Sequence, residues 1–239
     1  MLDIHSHILP GIDDGAKTEK DSRELLVQLH NQGVTTVVAT PHFYPNSMNL
    51  EDFIDLRFKS AKKISECSDE IGNIKILLGA EVLYFSGIGR VESIKRLTIA
   101  RSRFLLLELL GINDISDRVI KDIKNIKENL GIIPIIAHVE RYYKYKGYKK
   151  LVSAIEEGLA LCQINASFIV SKGEARATKS LIKAGLVDLV GSDCHDPQRR
   201  PVYINSAFAE IERISKEQCE KIINITQTIE RELLAAYEE

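Results

Sequence analysis

The stretch VTTVVATPH at residues 34–42 holds a strand and the polar residue that follows it. Its β-branched residues predict a buried strand, which Pro41 closes. Gly33, directly before it, ends a helix predicted over residues 21–32. An ionisable side chain, His42, comes immediately after the strand.

The same arrangement recurs along the chain, where short apolar runs alternate with amphipathic helical segments. Strands that are apolar throughout are typical of a parallel sheet buried on both faces. The predicted strands occupy residues 2–5, 34–40, 74–81, 104–110, 132–138, 159–165 and 187–192. The predicted helices occupy residues 21–32, 50–68, 116–129, 149–157, 174–185, 203–213 and 216–237. The sequence therefore predicts an α/β fold.

Ionisable residues stand at or near the carboxyl ends of these strands. In chain order they are His5, His42, Glu81, Glu108, His138 and Asp193. Strands that ring a common axis bring such residues together, as in barrel enzymes, whereas an open sheet spreads them along an edge. We therefore expect a TIM-like barrel of seven strands, formed by residues 1–239 as a single domain, since barrels of this length form one unit.

Composition excludes several classes of protein. The chain has 32 Lys plus Arg against 34 Asp plus Glu, a formal charge of −2, so its overall charge favours neither nucleic acid nor an anionic membrane. The longest apolar runs, such as residues 132–137, are too short for membrane insertion. The first residues lack the pattern of a signal peptide, and the four cysteines show no paired spacing, so we expect a cytoplasmic protein.

Two short motifs suggest metal binding. His5 and His7 are two residues apart, so both imidazoles of a strand can reach one metal, and Asp193 and His195 repeat this spacing. Each motif alone also fits a buried acid–histidine hydrogen bond, and a lone His138 fits a core histidine. Together they indicate a multinuclear site for Mn, Fe or Zn, because five of six histidines and three acids collect at strand ends.

The remaining histidine and two acids of the first loop complete the candidates. His30 falls in the last turn of the first predicted helix, where we expect a surface residue. Asp13 and Asp14, beside Gly15, add nearby carboxylates.

The motifs HSHILPGIDDG, ATPH, LLGAE, LLLEL, IIAHVERY, QINAS and GSDCH followed by RRP resemble the polymerase and histidinol phosphatase (PHP) family. The closer resemblance is to its bacterial protein-tyrosine phosphatase branch from capsule and exopolysaccharide loci, the CpsB/YwqE group. The motifs run from His5 to Pro201, nearly the whole chain. The resemblance implies a distorted seven-stranded (β/α)7 barrel with three divalent metal ions, Mn²⁺ first, with Fe or Zn as alternatives.

The resemblance also implies roles for individual residues. Its implied metal ligands are His5, His7, Asp14, His42, Glu81, Glu108, His138, Asp193 and His195, with Glu81 as the bridging carboxylate. Arg141 and Arg200 match the phosphate-contacting arginines of the branch. The acids at positions 14 and 108 favour this branch over the histidinol phosphatases, which usually have histidines there. Phe43-Tyr44 departs from the branch, which often has a His or basic residue after TPH.

These assignments imply a hydrolytic mechanism. A metal hydroxide would attack phosphorus in line, without a phosphoenzyme, while the metal ions and arginines hold the non-bridging oxygens. Tyrosinate is a fair leaving group because its parent phenol has a pKa of about 10.

A cysteine-dependent mechanism is the rival interpretation of the same region. Cys194 and Arg200 satisfy the C-x5-R pattern of cysteine-dependent tyrosine phosphatases. That loop needs small residues whose amides surround phosphate, whereas the insert here is His-Asp-Pro-Gln-Arg and its proline removes a donor. We therefore expect Cys194 to be uninvolved in catalysis.

The segment at residues 142–150, YYKYKGYKK, holds four of the eight tyrosines. Its aromatic and basic residues fit a nucleic-acid patch, a solvated loop or a rim for an acidic or phosphorylated tail. We favour the rim, beside Arg141, and expect no nucleic acid as partner.

The leading hypothesis is a metal-dependent protein-tyrosine phosphatase. By resemblance, its substrate is the phosphotyrosine tail of a bacterial tyrosine autokinase that controls capsule or exopolysaccharide synthesis. The alternative is a small-metabolite phosphomonoesterase of the histidinol phosphatase type. A nucleic-acid phosphodiesterase and a metal-binding module without turnover rank below both.

Overall fold

Strands and helices alternate along the chain in the computed structural model, which describes residues 1–72, 74–112, 114–171 and 175–238. The strands are β1 Leu2–Ser6, β2 Thr36–Ala39, β3 His42–Phe43, β4 Lys75–Leu78, β5 Glu81–Leu83, β6 Phe104–Glu108, β7 Ile133–Ile136, β8 Leu161–Asn165 and β9 Leu189–Gly191. The helices are α1 Glu19–Asn31, α2 Leu50–Glu70, α3 Asp117–Leu130, α4 Tyr148–Glu156, α5 Ala166–Val170, α6 Ala175–Lys183, α7 Ile204–Ile214 and α8 Lys216–Glu238.

The strands form two parallel sheets, which confirms the predicted α/β class. One sheet has the order β1-β2-β4, and the other has the order β3-β5-β6-β7-β8-β9. The first and last strands also meet, because Ser6 forms a parallel bridge with Cys194. There the Asp193 amide donates to the His5 carbonyl at 2.8 Å, and the His7 amide donates to the Cys194 carbonyl at 3.0 Å. The sheets therefore curl toward each other.

Among the described residues there are nine strands where the sequence predicts seven. Strand β3 follows Pro41, beyond the run predicted over residues 34–40, and the run predicted over residues 74–81 divides into β4 and β5. Pro41 lacks an amide hydrogen and separates β2 from β3. The neighbouring run breaks at the same level, between β4 and β5. Pairing continues across both breaks, since the Gly79 amide donates to the Ala39 carbonyl at 2.9 Å and the Glu81 amide donates to the Pro41 carbonyl at 3.0 Å.

Most helices begin and end near their predicted limits. Helix α1 begins two residues before its predicted start because Thr18 and Asp21 form a capping box. Helix α3 ends at Gly131 as predicted, in the left-handed conformation that glycine tolerates. The predicted start of the helix observed as α6, residue 174, lies outside the described residues. Helix α5 and three 3₁₀ turns between residues 88 and 101 were not predicted.

Two apolar cores pack on either side of the strands. The larger core joins the sheets to the surrounding helices, for example through Leu25 and Leu29 of α1. The smaller core collects strand residues such as Leu77 and Phe104. Helix α8 covers this smaller core with Ile229 and Leu233 (Ile229 is 4% exposed), which explains why the chain carries a long last helix.

Over the described ranges, every helix is too short or too polar to be a candidate for crossing a bilayer.

Candidate metal centre

The predicted ligands come together at the carboxyl ends of the strands. His5 lies on β1, His42 begins β3, Glu81 begins β5 and Glu108 ends β6. The others occupy the loops that follow strands: His7 and Asp14 after β1, His138 after β7, and Asp193 and His195 after β9. All of these side chains except Asp14 are buried or nearly so, and the Asp14 side chain is 63% exposed.

Glu81 lies at the middle of the cluster. Its Oε2 is 3.2 Å from Nε2 of both His5 and His7, and 3.0 Å from Nδ1 of His42. Its Oε1 is 2.8 Å from Nε2 of His138. One carboxylate therefore faces four imidazoles, an arrangement that suits a bridging ligand.

Three overlapping groups of side chains have ligand atoms close enough to share an ion. Within each group the ligand atoms lie within 4.8 Å of one another. The groups are His5, His7 and Glu81; His42, Glu81 and Glu108; and His7, Asp14, His42 and His195. Asp193 adjoins them, with Oδ1 3.5 Å from Nε2 of both His5 and His7.

Several buried atoms of the cluster have no hydrogen-bond partner among the described residues. They are both carboxylate oxygens of Glu108, Oε2 of Glu81, Nδ1 of His42 and Nε2 of His195. Buried polar atoms without partners are costly and uncommon in native proteins. Cations would satisfy these oxygen and nitrogen atoms together, so the donor set fits divalent metal ions.

The electrostatics of the cluster also favour cations. Burial by itself raises the pKa of Glu81, but the facing histidines, His5 first among them, hold the pKa well below its usual value. Burial opposes protonation of His138, yet the facing carboxylates of Glu108 and Glu81 raise its pKa to about 9. The carboxylate of Glu81 is therefore charged at neutral pH, as a metal ligand requires.

A ring of further side chains orients the histidines. Asp13 Oδ2 lies 2.7 Å from Nδ1 of His7 and accepts the His42 amide at 3.0 Å. Gln163 Oε1 lies 3.1 Å from Nδ1 of His5. Tyr142 Oη lies 3.1 Å from Nδ1 of His138. Such partners of a histidine ligand fix its ring orientation and increase its basicity.

Sequence reasoning missed these orienting roles. The sequence marks Asp13 only as a nearby acid and Gln163 only as part of the QINAS motif. The prediction that Tyr142 belongs to the rim is wrong, because Tyr142 is completely buried. In the sequence, each of these residues stands beside a candidate ligand or inside a matched motif, and that position could have indicated an orienting role.

Arg141 and Arg200 lie together at the mouth of the cluster. Their Nη2 atoms donate to the same oxygen, Oδ2 of Asp193, at 2.9 and 2.7 Å. Burial raises the pKa of Asp193, but His5, His7 and Arg200 together lower it well below its usual value. The two side chains are 26% and 40% exposed, so they can also reach an anion from solvent.

The backbone is strained at two of the candidate ligands. His138 has φ 35° and Asp193 has φ 49°, in the left-handed region that residues with a Cβ rarely adopt. Strain of this kind persists where surrounding contacts hold it and is often found at functional sites.

Cys194 and His30 lie apart from this chemistry. Cys194 is completely buried, and burial raises the pKa of its thiol above the usual range. The thiolate that a cysteine-dependent mechanism needs is therefore disfavoured. His30 is exposed in the last turn of α1, as predicted.

The segment at residues 142–150 has two of its lysines in ion pairs. Lys146 Nζ lies 2.9 Å from Asp114, and Lys150 Nζ lies 2.6 Å from Asp117. Tyr143 is 45% exposed. Part of this segment therefore pairs with α3 and with the residues before it, while Tyr143 remains available at the surface.

The sequence is similar to those of named bacterial proteins over most of its length. The chain is 32% identical over 224 residues to the tyrosine-protein phosphatase CpsB of Streptococcus pneumoniae, covering 87% of this chain and 88% of that protein. It is 29% identical over 222 residues to the tyrosine-protein phosphatase YwqE of Bacillus subtilis strain 168, covering 89% of this chain and 84% of that protein.

Solved structures share the fold. A crystal structure from a study of Bacillus subtilis YwqE and Streptococcus pneumoniae CpsB, described as metal-dependent tyrosine phosphatases, matches with a TM-score of 0.81 at 24% identity, over 97% of this chain and 95% of that chain. Histidinol phosphate phosphatase from Lactococcus lactis matches with a TM-score of 0.57 at 13% identity, over 93% and 94%. A family model for capsular polysaccharide synthesis proteins, CpsB/CapC, matches residues 1–230. The chain therefore belongs to the CpsB/CapC family.

Proposed function

We propose that this protein is a metal-dependent protein-tyrosine phosphatase, which hydrolyses phosphotyrosine without a cysteine nucleophile. The observation that carries the proposal is a buried cluster of histidines and carboxylates with two arginines at its mouth. The curated names of CpsB and YwqE support it.

The nine predicted ligands would hold three divalent ions, Mn²⁺ first, with Fe or Zn as alternatives. The three overlapping groups of ligand atoms support this number. When bound, the ions would polarise the phosphoryl oxygens and lower the pKa of water to about 7.

The protein's own side chains would position the substrate. Arg141 and Arg200 would bind the phosphate oxygens, since guanidinium groups suit bidentate contact with phosphate. Both already converge on one carboxylate oxygen of Asp193, so little reorganisation is needed. Asp13, Gln163 and Tyr142 would hold the histidine rings in place during turnover.

The physiological substrate proposed here is the phosphotyrosine tail of a bacterial tyrosine autokinase that controls capsule or exopolysaccharide synthesis, in the cytoplasm. The family's link to capsular polysaccharide synthesis supports this choice. Tyr143 would form the rim that receives the tail, together with the lysines of the segment at residues 142–150 other than Lys146 and Lys150, whose ion pairs are described above.

We also infer that the two sheets make one distorted seven-stranded barrel, with residues 1–239 as one domain. If β2 and β3 are counted as one interrupted strand, and β4 and β5 as another, the nine described strands become seven. The contact between β1 and the end of β9 supports closure.

The decisive experiment combines metal analysis with substrate comparison. The purified protein is assayed for bound metal, and then against a phosphotyrosine peptide, histidinol phosphate and a nucleotide diester, with Mn²⁺ or with chelator. We expect fast hydrolysis of the peptide with Mn²⁺ and none after chelation. Activity that survives complete metal removal would contradict the proposal, and a preference for histidinol phosphate would favour the metabolite phosphatase instead.

A further inference from the structure

The mouth of the metal centre is lined by charged and by apolar groups. The guanidinium groups of Arg141 and Arg200 lie there, and Arg200 Nη1 is 4.0 Å from Asp14 Oδ2. Next to His42 and Asp14 opens a cavity of about 370 Å³. The cavity is lined by Ile12, Asp13, Asp14, His42, Tyr44, Ser47, Met48 and Phe53. Apart from His42, the two aspartates and the serine, these side chains are largely apolar.

Tyr44 forms a flat wall of this cavity. Its ring stacks on the imidazole of His42, with centroids 5.0 Å apart and planes inclined by 20°. The side chain is 37% exposed, although most large apolar side chains of the described chain are buried. Tyr44 lines the cavity and has His42 on one face of its ring, so we expect a ligand to contact the other face.

The position of Tyr44 is held by local structure. The amides of Ser47 and Met48 both donate to its carbonyl, at 2.9 and 3.2 Å, which forms a turn. Phe43, directly before it, is anchored against Phe53 with ring centroids 5.0 Å apart. The cavity is therefore built before any ligand arrives, which reduces the entropy lost on binding.

We propose that this cavity binds the aromatic ring of the phosphotyrosine side chain, between Tyr44 and Met48. The inference rests on the proposed function and makes it specific. A phosphate bound by Arg141 and Arg200 would have its ester group at the mouth of the centre, and the cavity adjoins His42 at this mouth. The cavity lies at the small end of the usual range for ligand pockets, which suits a single ring.

The consequence is discrimination by the leaving group. An aryl phosphate would stack on Tyr44, whereas an alkyl phosphate presents no flat face to it. An aromatic pair of this kind adds about 3- to 10-fold in affinity. Because the ring contact exists in the bound substrate as well as in the transition state, its loss should raise KM more than it lowers kcat.

Binding of two inert phosphonates to the Mn²⁺-loaded protein tests the proposal by calorimetry. Phenylphosphonate and methylphosphonate share the anionic group and differ in the ring. We expect the wild-type protein to bind phenylphosphonate about tenfold more tightly. The measured ratio is the Kd of methylphosphonate divided by the Kd of phenylphosphonate. In Tyr44→Ala and Met48→Ala this ratio should fall toward one. Tyr44→Phe keeps the ring and should keep the wild-type ratio.

Controls separate the cavity from the rest of the site. Tyr203→Ala removes a tyrosine of similar exposure, 38%, that does not line this cavity, and should keep the wild-type ratio. Bound metal and Tm are measured for each variant, and Met48→Ala tests the cavity without removing the ring on His42. Equal affinities in the wild type, or an unchanged ratio in both alanine variants, would overturn the inference.

Kinetics distinguishes failure of the inference from failure of the proposed function. If the wild-type protein hydrolyses a phosphotyrosine peptide while the ratio is insensitive to Tyr44 and Met48, only the cavity assignment is wrong. If it hydrolyses no phosphate ester with Mn²⁺, the proposed function is wrong as well.

Discussion

The two ends of the strands are built from opposite kinds of residue, although single strands run through both. On β6, Phe104 and Leu106 belong to the smaller apolar core, and Glu108 on the same face enters the candidate metal centre. Leu77 and Glu81 repeat the contrast across the break between β4 and β5.

The difference separates stability from function. Helix α8 covers the apolar end, and burial of its apolar side chains stabilises the folded protein. The ionisable end buries carboxylates and imidazoles, some of them without hydrogen-bond partners, which is unfavourable for folding unless an ion binds. A protein keeps such an end for binding and chemistry, so changes at the two ends should have separable effects.

The largest effect is expected from Glu81→Gln. This change removes the charge that faces four imidazoles, and metal ions contribute several kcal/mol of transition-state stabilisation, so kcat/KM should fall about a thousandfold or more. Activity on a phosphotyrosine peptide and bound metal are measured together. The exposed Glu128→Gln is the matched control and should behave as wild type, whereas full activity of Glu81→Gln would refute the central role of this carboxylate.

At the apolar end, Phe104→Ala should act on stability instead. Phe104 is 3% exposed, and truncation of a buried phenylalanine costs about 3–5 kcal/mol of the free energy of unfolding. Urea denaturation measures the loss, and Phe104→Leu should lose less. The folded fraction should keep its kcat/KM, and a variant that lost activity while keeping its stability would show that the two ends are not separable.

Asp13→Asn should have an intermediate effect at the ionisable end. Asp13 orients His7 and His42 but belongs to none of the three ligand groups, and loss of such a partner lowers metal affinity or activity about 10- to 100-fold. Metal titration and kcat/KM check this prediction. An unchanged metal affinity would mean that the position of His7 does not depend on this hydrogen bond.

The smallest effect is expected from Cys194→Ser. Its thiol is buried and its pKa is raised, so activity should stay within about twofold of wild type. Phosphatase assays with measured metal content provide the test. Loss of activity with metal retained would revive the cysteine-dependent mechanism.

Much of the fold was predictable because strand and helix periodicity is a local property. The apolar runs, the residues at their ends and the stop at Gly131 were all visible in the chain. Pro41 marked the end of β2, but the short strand β3 after it and the break between β4 and β5 were not predicted, since that break depends on how a neighbouring strand pairs with Pro41. Helix α5 was missed because five residues are too few for a periodic pattern.

By itself, the sequence determined that histidines and carboxylates would meet at one end of a parallel sheet, because strand direction carries the end of every run to the same side. Only the tertiary structure decided which atoms face each other. It brought Gln163 to His5, both arginines to one oxygen of Asp193, and the Tyr44 ring onto His42. The contacts of Gln163 with His5 and of Arg141 with Asp193 join residues far apart in the chain, and they depend on strand pairing and on left-handed backbone at Asp193. The contacts of Arg200 with Asp193 and of Tyr44 with His42 are short-range and depend on the loops that follow β9 and β3. A local sequence pattern does not encode the long-range contacts.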